Sequence, residues 1–240
     1  MKKFSLEIGI VAVGLAGTPA IAGDTAELNI LGFSGDSSIF AFEEYGVQDG
    51  SGFPYANRFY IDVENDAFLS GTPVRIRIDD ESATLAEALQ QAAAQGEEIV
   101  SDDELAANRG YTAGFNAITE LSADPYRLAV NPRPVLPPVD TPVEFRLEEF
   151  PLPAEGCEDL GETMGYRLLR IDVTDGGGVT LLHEDETIPT SRNCPLGYRL
   201  GAVQTVFGDQ GLPSFAVLIA VRSFGFEGPD HHWIAVTGRF

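Results

Sequence analysis

Residues 27–78, ELNILGFSGDSSIFAFEEYGVQDGSGFPYANRFYIDVENDAFLSGTPVRIRI, decide the fold class. The runs ELNILGFS, IFAFEEYGV, RFYIDV and PVRIRI are rich in aromatic and β-branched residues. Between them lie Gly35-Asp36-Ser37, the loop QDGSGFPYAN and Glu64-Asn65-Asp66. Extended side-chain runs bounded by glycine, aspartate, asparagine and serine are the pattern of short strands joined by tight turns, so the segment reads as an antiparallel β-meander of four strands. The last third of the chain repeats this character in YRLLRIDV, VTLLHE, YRLGAVQTVF, SFAVLIAVRSF and WIAVTGRF. The fold class is therefore mainly β (α+β), with meanders arranged as propeller blades or as a sandwich.

Two stretches depart from that pattern. In TLAEALQQAAA, Leu85, Ala88, Leu89 and Ala92 fall at helical spacing, and Thr84 with Glu87 forms a capping box. Ser101 with Glu104 repeats the box, so a two-helix insertion is expected at about 82–122. A proline-rich connector follows at 131–153, either a linker or a set of edge segments, in which VEFRLEEF has the character of one strand. At this length one larger all-β domain or two small ones can bury a full core, and 23–240 reads as a single β-rich domain.

The start of the chain has the pattern of a secretory signal peptide at 1–22. Lys2 and Lys3 precede an apolar stretch from Ile8 to Gly17, and Ala20-Ile21-Ala22 forms a small-residue cleavage site before Gly23. That apolar stretch is too short to span a bilayer, so no transmembrane anchor is expected and the localisation reads as periplasmic or secreted. The whole chain carries 37 acidic against 15 basic residues, a net charge of −22, which repels phosphate backbones and excludes nucleic acid as a partner. Beyond residue 22 every basic side chain except the histidines is an arginine. Schiff-base, Walker-lysine and Ser-Lys chemistry are thereby ruled out for the exported part. G-x-S-x-G, G-x-G-x-x-G, the P-loop and H-E-x-x-H are all absent. The reading therefore leans away from an enzyme.

Cys157 and Cys194 are the two cysteines, and in an oxidising compartment one disulfide between them is the default. Arg192 stands two residues before Cys194, where such a bond would hold it ready for a buried ion pair with one of the many acids. Two aromatic and glycine-rich loops, Tyr45 to Tyr55 and Phe224 to Trp233, form the expected contact surface, with Tyr45, Asp49, Tyr55, Phe226 and Trp233 as its binding residues. No cofactor is required. Two cation sites are conceivable: calcium at the oxygen-rich loop Glu43 to Gly52, and zinc at Glu227, Asp230, His231 and His232 with His183 brought in. Against the first stands pairing of those carboxylates with Arg58. Against the second, adjacent histidines on a strand point to opposite faces.

Several segments resemble known proteins. The order of strand, FSGD, strand and aspartate-rich turn resembles one blade of a bacterial propeller of the TolB type. More specifically, GFSGDSSIFAFEEYGVQDGSGFPYANRFYIDV, EDETIPTSRNCPLGYRL and GFEGPDHHWIAVTGRF together resemble DUF2259, a family of predicted secreted bacterial proteins. The resemblance implies export and a shared fold, and it implies no activity. The expected function is that of an exported acidic soluble protein, a non-enzymatic binding or structural module of the cell envelope, whose partner is an envelope protein or a small ligand. The alternative is a metal-dependent hydrolase using the Glu227, Asp230, His231 and His232 cluster.

Overall fold

The computed structural model describes residues 23–174, 176–208, 211–225 and 228–240; the expected signal segment and the candidate residues Phe226 and Glu227 lie outside them. The meander of the opening stretch forms as its sequence pattern requires. Strands β1 (Glu27–Phe33), β2 (Ile39–Val47) and β3 (Pro54–Asp62) pair antiparallel in chain order, and β4 (Ala67–Phe68) and β5 (Val74–Arg77) both add to β3. The first turn is locked by Asp36, whose carboxylate accepts from the Ser38 hydroxyl at 2.7 Å, the Ser34 hydroxyl at 2.7 Å and the Ser38 amide at 3.0 Å. These bonds favour the ionised form and hold the Asp36 pKa down to about 2.

Helix α1 (Leu85–Gly96) starts at the expected capping box, with both the Glu87 amide to Thr84 and the Thr84 amide to Glu87 bonds made. It lays Ala88 and Ala92 on Ala56 of β3, and small residues permit that close approach. Helix α2 (Asp102–Ala107) is capped by Ser101, which accepts from the Glu104 amide at 3.2 Å. The Glu104 carboxylate does not close a second box; it accepts from the Gly35 amide at 2.8 Å and ties the helix to the β1–β2 turn. The helical block ends at Ala107, well short of 122. Gly110 takes a φ of 74°, and Tyr111–Phe115 is strand β6, fastened by the Thr112 hydroxyl to Gln204 at 2.7 Å.

Strands β7 (Arg127–Val130), β8 (Val143–Pro151), β9 (Met164–Asp172) and β10 (Val179–Glu184) form a second sheet in the order β10-β9-β8-β7. The proline-rich connector thus contains a full nine-residue strand, β8, paired with β9 from end to end. Proline has no amide to donate, and within β8 it occurs only as the last residue, Pro151. The third sheet has the order β13-β12-β11-β6, built from β11 (Pro195–Val206), β12 (Ser214–Ser223) and β13 (Asp230–Arg239).

This third sheet is the middle layer of a three-layer sandwich. Along β12, Ala216, Leu218 and Ala220 pack with Phe40, Phe42 and Phe59 of the helix-covered sheet. The alternate residues Phe215, Val217, Ile219 and Val221 pack with Phe145, Leu147 and Leu168 of the other outer sheet. Both faces are covered, which is why β12 is an unbroken apolar run with no polar alternation. Its neighbour β11 is irregular between Leu200 and Ala202, and that irregularity moves Leu200 and Ala202 onto opposite faces. Gly201 sits there. A Cβ on it would come 2.2 Å from Cζ3 of Trp233, so the glycine makes the space into which the indole packs.

The free edge of β13 is blocked by groups from elsewhere in the chain. The amide of His231 donates to the Asp24 carbonyl at 2.7 Å, that of Trp233 to Glu44 Oε2 at 2.7 Å and that of Thr237 to Asp66 Oδ1 at 2.7 Å. Capping edge amides with one main-chain and two side-chain acceptors removes the template for pairing with another chain.

The expected disulfide is formed. Cys157 in the β8–β9 loop joins Cys194 at the start of β11, with Cα atoms 5.7 Å apart across a separation of 37 residues. Closing a loop of that length contributes about 3–4 kcal/mol on the chain-entropy model. A Cys157→Ser, Cys194→Ser double variant is therefore expected to lose stability by about that amount. Urea unfolding of the two proteins measures it; a loss below about 1 kcal/mol would show that the loop is already ordered in the unfolded chain.

No helix among the described residues is long and apolar enough to cross a membrane.

Candidate functional site

The inner face of the helix-covered sheet changes character along its length. Phe42 and Phe59 are cross-strand partners stacked at 4.5 Å and belong to the core. Two residues further along each strand the same face carries Glu44 and, toward the open end, Tyr55, with Asn57 between. Arg75 and Arg77 of β5 stand opposite Asn57 and Tyr55 and continue that polar end to the sheet edge. Gly46 is the partner of Tyr55. A Cβ there would lie 2.9 Å from the Tyr55 hydroxyl oxygen, so the phenol lies across the glycine and reaches Asp24 Oδ1 at 2.9 Å.

β13 supplies the facing residues. Glu44, only 3% exposed, accepts from the Trp233 amide at 2.7 Å and from Asn57 Nδ2 at 3.0 Å, and its Oε1 lies 3.4 Å from His232 Nδ1. Trp233 Nε1 donates to the Ala26 carbonyl at 2.9 Å, and the Asp24 amide donates to Asp230 Oδ1 at 2.9 Å. The segment Asp24 to Ala26 is thereby stitched between the two sheets. Burial of these carboxylates is compensated by donors, as a buried charge requires.

Beside this cluster runs a cleft of about 580 Å³, bounded by Tyr55, Phe59, Phe68, Arg75 and Arg77 on one side. His232, Trp233 and Ile234 of β13 form its base, and the turn Thr190 to Asn193 forms the far side. The volume is that of a small-molecule site. In the far wall Arg192 makes the ion pair expected from its place beside Cys194: Nη1 lies 2.7 Å from Asp185 Oδ2, with side-chain exposures of 10% and 2%. Its guanidinium also lies 5.0 Å from the Tyr166 ring centre and 5.8 Å from that of Tyr198. Burial raises the Asp185 pKa, but the bonds from His183 at 2.9 Å and Arg192 outweigh it and keep the carboxyl below its ordinary value.

Of the expected binding residues, Tyr55 and Trp233 meet in this cleft although 178 positions apart in the chain. Tyr45 lies on the opposite face of β2, against the helix side with Ala56, Ala88 and Ala92. Asp49 stays in the β2–β3 loop outside the cleft lining, with a buried Oδ2 that has no partner among the described residues. Phe226 falls outside those residues. The candidate calcium carboxylates diverge: Glu43 turns to Arg58 at 2.7 Å, and Glu44 turns to Trp233 and His232. Asp230 and His231 engage the Asp24 to Ala26 segment, and His232 engages Glu44. Among the described residues no three of His, Cys, Asp and Glu come together as a metal site would need. Arg75, Arg77, Phe59 and Phe68 were not legible as site residues, because their strands read equally well as ordinary meander.

The two adjacent histidines titrate in opposite senses. For His232, burial disfavours the charge but the hydrogen bond and charge of Glu44 prevail, with Asp24 and Asp230 adding, and the pKa is raised. For His231, burial and then Arg222 lower it, and its Nδ1 is buried without a partner among the described residues. A raised folded-state pKa gives stability that is full below the ordinary value near 6.5 and is lost as pH climbs through the folded value. A lowered one gives stability that is lost as pH falls below about 6.5. Thermal melts from pH 5 to 9 are therefore expected to flatten on the alkaline side in His232→Gln and on the acid side in His231→Gln. Identical profiles in both variants and the parent would remove this assignment.

No curated protein and no solved structure matches the chain significantly. The family model described as predicted secreted protein, DUF2259, matches residues 41–239, from within β2 to the end of β13, and the chain belongs to that family.

Proposed function

We propose that the protein is an exported binding module that holds a small molecule in the cleft along β13. The observation that carries this reading is the convergence, on one cleft of about 580 Å³, of residues from the β3 and β5 strands, the Arg192 turn and β13. Tyr55 and Trp233 are fixed there by hydrogen bonds to Asp24 and Ala26, not left to solvent. Rigid aromatic walls with a few oriented polar groups are the usual make-up of a ligand pocket, and a stable scaffold holding chain-distant loops together is the usual way of building one. Binding is the activity that such walls support directly, and it is the activity proposed.

The chain has a single tryptophan, Trp233, and it lines the cleft. Its fluorescence therefore reports this site alone. Protein recovered after export, with its disulfide intact, is expected to carry a small molecule visible by native mass spectrometry. Unfolding should release it, and adding it back to refolded protein should change Trp233 emission and raise the melting temperature. Recovery of bare protein only, with Trp233 emission unmoved by a concentrate of small molecules from the producing cells, would refute the reading.

A further inference from the structure

The polar groups around the cleft are unevenly committed. Its carboxylate, Glu44, is consumed by donors from Trp233, Asn57 and His232. Its cations are not. Arg75 has neither an ion pair nor a side-chain hydrogen bond among the described residues, in a chain where acids outnumber bases 37 to 15. Its guanidinium lies 5.8 Å from the Phe59 ring centre. Arg77 next to it gives Nε and Nη2 to Asp79 and leaves Nη1 without a partner. Across the cleft Arg192 commits only Nη1, to Asp185 and the Tyr198 hydroxyl, so its Nε and Nη2 are unpaired among the described residues. The rings of Tyr166 and Tyr198 and the Cys157–Cys194 bond two residues away hold that fork in place. The same cleft is lined by Phe59 and the half-exposed Phe68, whose ring centres are 6.0 Å apart, and by Trp233.

We propose that the cleft selects an organic anion with a flat apolar body, its oxyanion held by Arg192 on one side or by Arg75 and Arg77 on the other and its body laid on the half-exposed Phe68, which packs over the buried Phe59. The proposal rests on the cleft being a binding site and adds the chemical class of the ligand. Arginine forks match carboxylate, sulfonate and phosphate geometry through paired N–H donors, and aromatic rings add contact with a planar body. A cationic ligand would meet three guanidinium groups and a single carboxylate, Glu44, that already accepts from Trp233, Asn57 and His232. A neutral apolar ligand would leave the free arginine donors without an acceptor once water is displaced.

Two dyes of closely similar ring structure separate these cases. 8-Anilinonaphthalene-1-sulfonate is an aromatic anion, and N-phenyl-1-naphthylamine is nearly the same body without the charge. Energy transfer from Trp233 locates either dye at the cleft of the disulfide-bonded chain. The anion is expected to bind about tenfold tighter than the neutral dye, the size of one charge-assisted hydrogen bond. Arg75→Gln, an exposed position with no partner to orphan, should erase most of that preference and leave the neutral dye unchanged. Arg192→Lys, with a melt to confirm folding, should reduce it as well, because an ammonium cannot serve Asp185 and a ligand in the same fork geometry. Equal affinity for both dyes, or arginine variants without effect, would overturn the anion class while leaving a binding cleft. Absence of Trp233 transfer with either dye would overturn the cleft itself and the proposal with it.

Discussion

Arg58→Met is expected to destabilise the protein by about 3–5 kcal/mol, the usual cost of removing one partner from a buried ion pair. Arg58 is 5% exposed and Glu43 is 3% exposed, and Nε of one lies 2.7 Å from Oε2 of the other. The same guanidinium reaches Asp102 of α2 through Nη1 at 2.6 Å and Nη2 at 3.3 Å. Methionine keeps the stem packing but leaves the Glu43 carboxylate under the helices with only the Asn29 amide, 3.3 Å away, as a donor. It also unfastens α2 from the sheet. Adding Glu43→Leu should recover most of the loss, since an apolar pair of similar volume removes the orphaned charge. Urea unfolding of the two single variants and the double one gives the coupling directly. If Arg58→Met alone cost less than about 1 kcal/mol, the value typical of exposed pairs, the network would be solvated and this account would be wrong.

That network also marks how far the sequence could be read. The runs in 27–78 are short, bounded by turn residues and alternating, so a local rule sufficed to place the strands of the meander. The Thr84 and Glu87 box marked the start of α1 for the same reason: the information lies within four residues. The errors fall where a distant segment decides the outcome. Tyr111–Phe115 follows a helix and carries a glycine and an alanine, and it becomes β6 because β11 offers it a ladder and Gln204 a hydrogen bond. Val143–Pro151 is surrounded by prolines that read as a connector, yet the strand between them is a regular partner of β9. The unbroken apolar run of β12 was recognisable as a strand, but its meaning, a layer covered on both faces, depends on two sheets supplied by other parts of the chain.

The site was half legible on the same principle. Tyr55 and Trp233 stand out as aromatics in glycine-rich loops, and Arg192 stands out by its nearness to Cys194. Glu43 and Glu44 are neighbours in a run of acids, and only the parity of β2 separates them, sending one to Arg58 under the helices and the other to the cleft. Arg75 and Arg77 carry no local signal at all. Arg75 is set apart only by having no ion pair among the described residues, and Arg77 by pairing with Asp79 at the sheet edge, and both are properties of the folded molecule.

Glu44→Leu is the second large effect, again about 3–5 kcal/mol, and it tests whether the cleft base is organised by this one carboxylate. The substitution leaves the Trp233 amide, donated at 2.7 Å in the native protein, facing a methyl group at the blocked edge of β13. It also strands Asn57 Nδ2 and takes away the hydrogen bond and charge that raise the His232 pKa. Each unsatisfied buried donor costs about 1–3 kcal/mol, so the backbone amide alone accounts for a large part of the loss. Glu44→Gln should be milder, because the amide oxygen can still accept from Trp233 while its nitrogen faces the Asn57 and His232 donors. In both variants burial becomes the dominant influence on His232, and its pKa, followed by the imidazole proton resonances in an NMR titration, should fall from above the ordinary histidine value to below it. Loss of the alkaline-side dependence of the melt should accompany that fall, since the stability it carried was the Glu44 pairing with the charged imidazole. A His232 pKa unchanged in Glu44→Gln would assign the raised value to Asp24 and Asp230, and the cleft base would then be held by the N-terminal segment, not by β2.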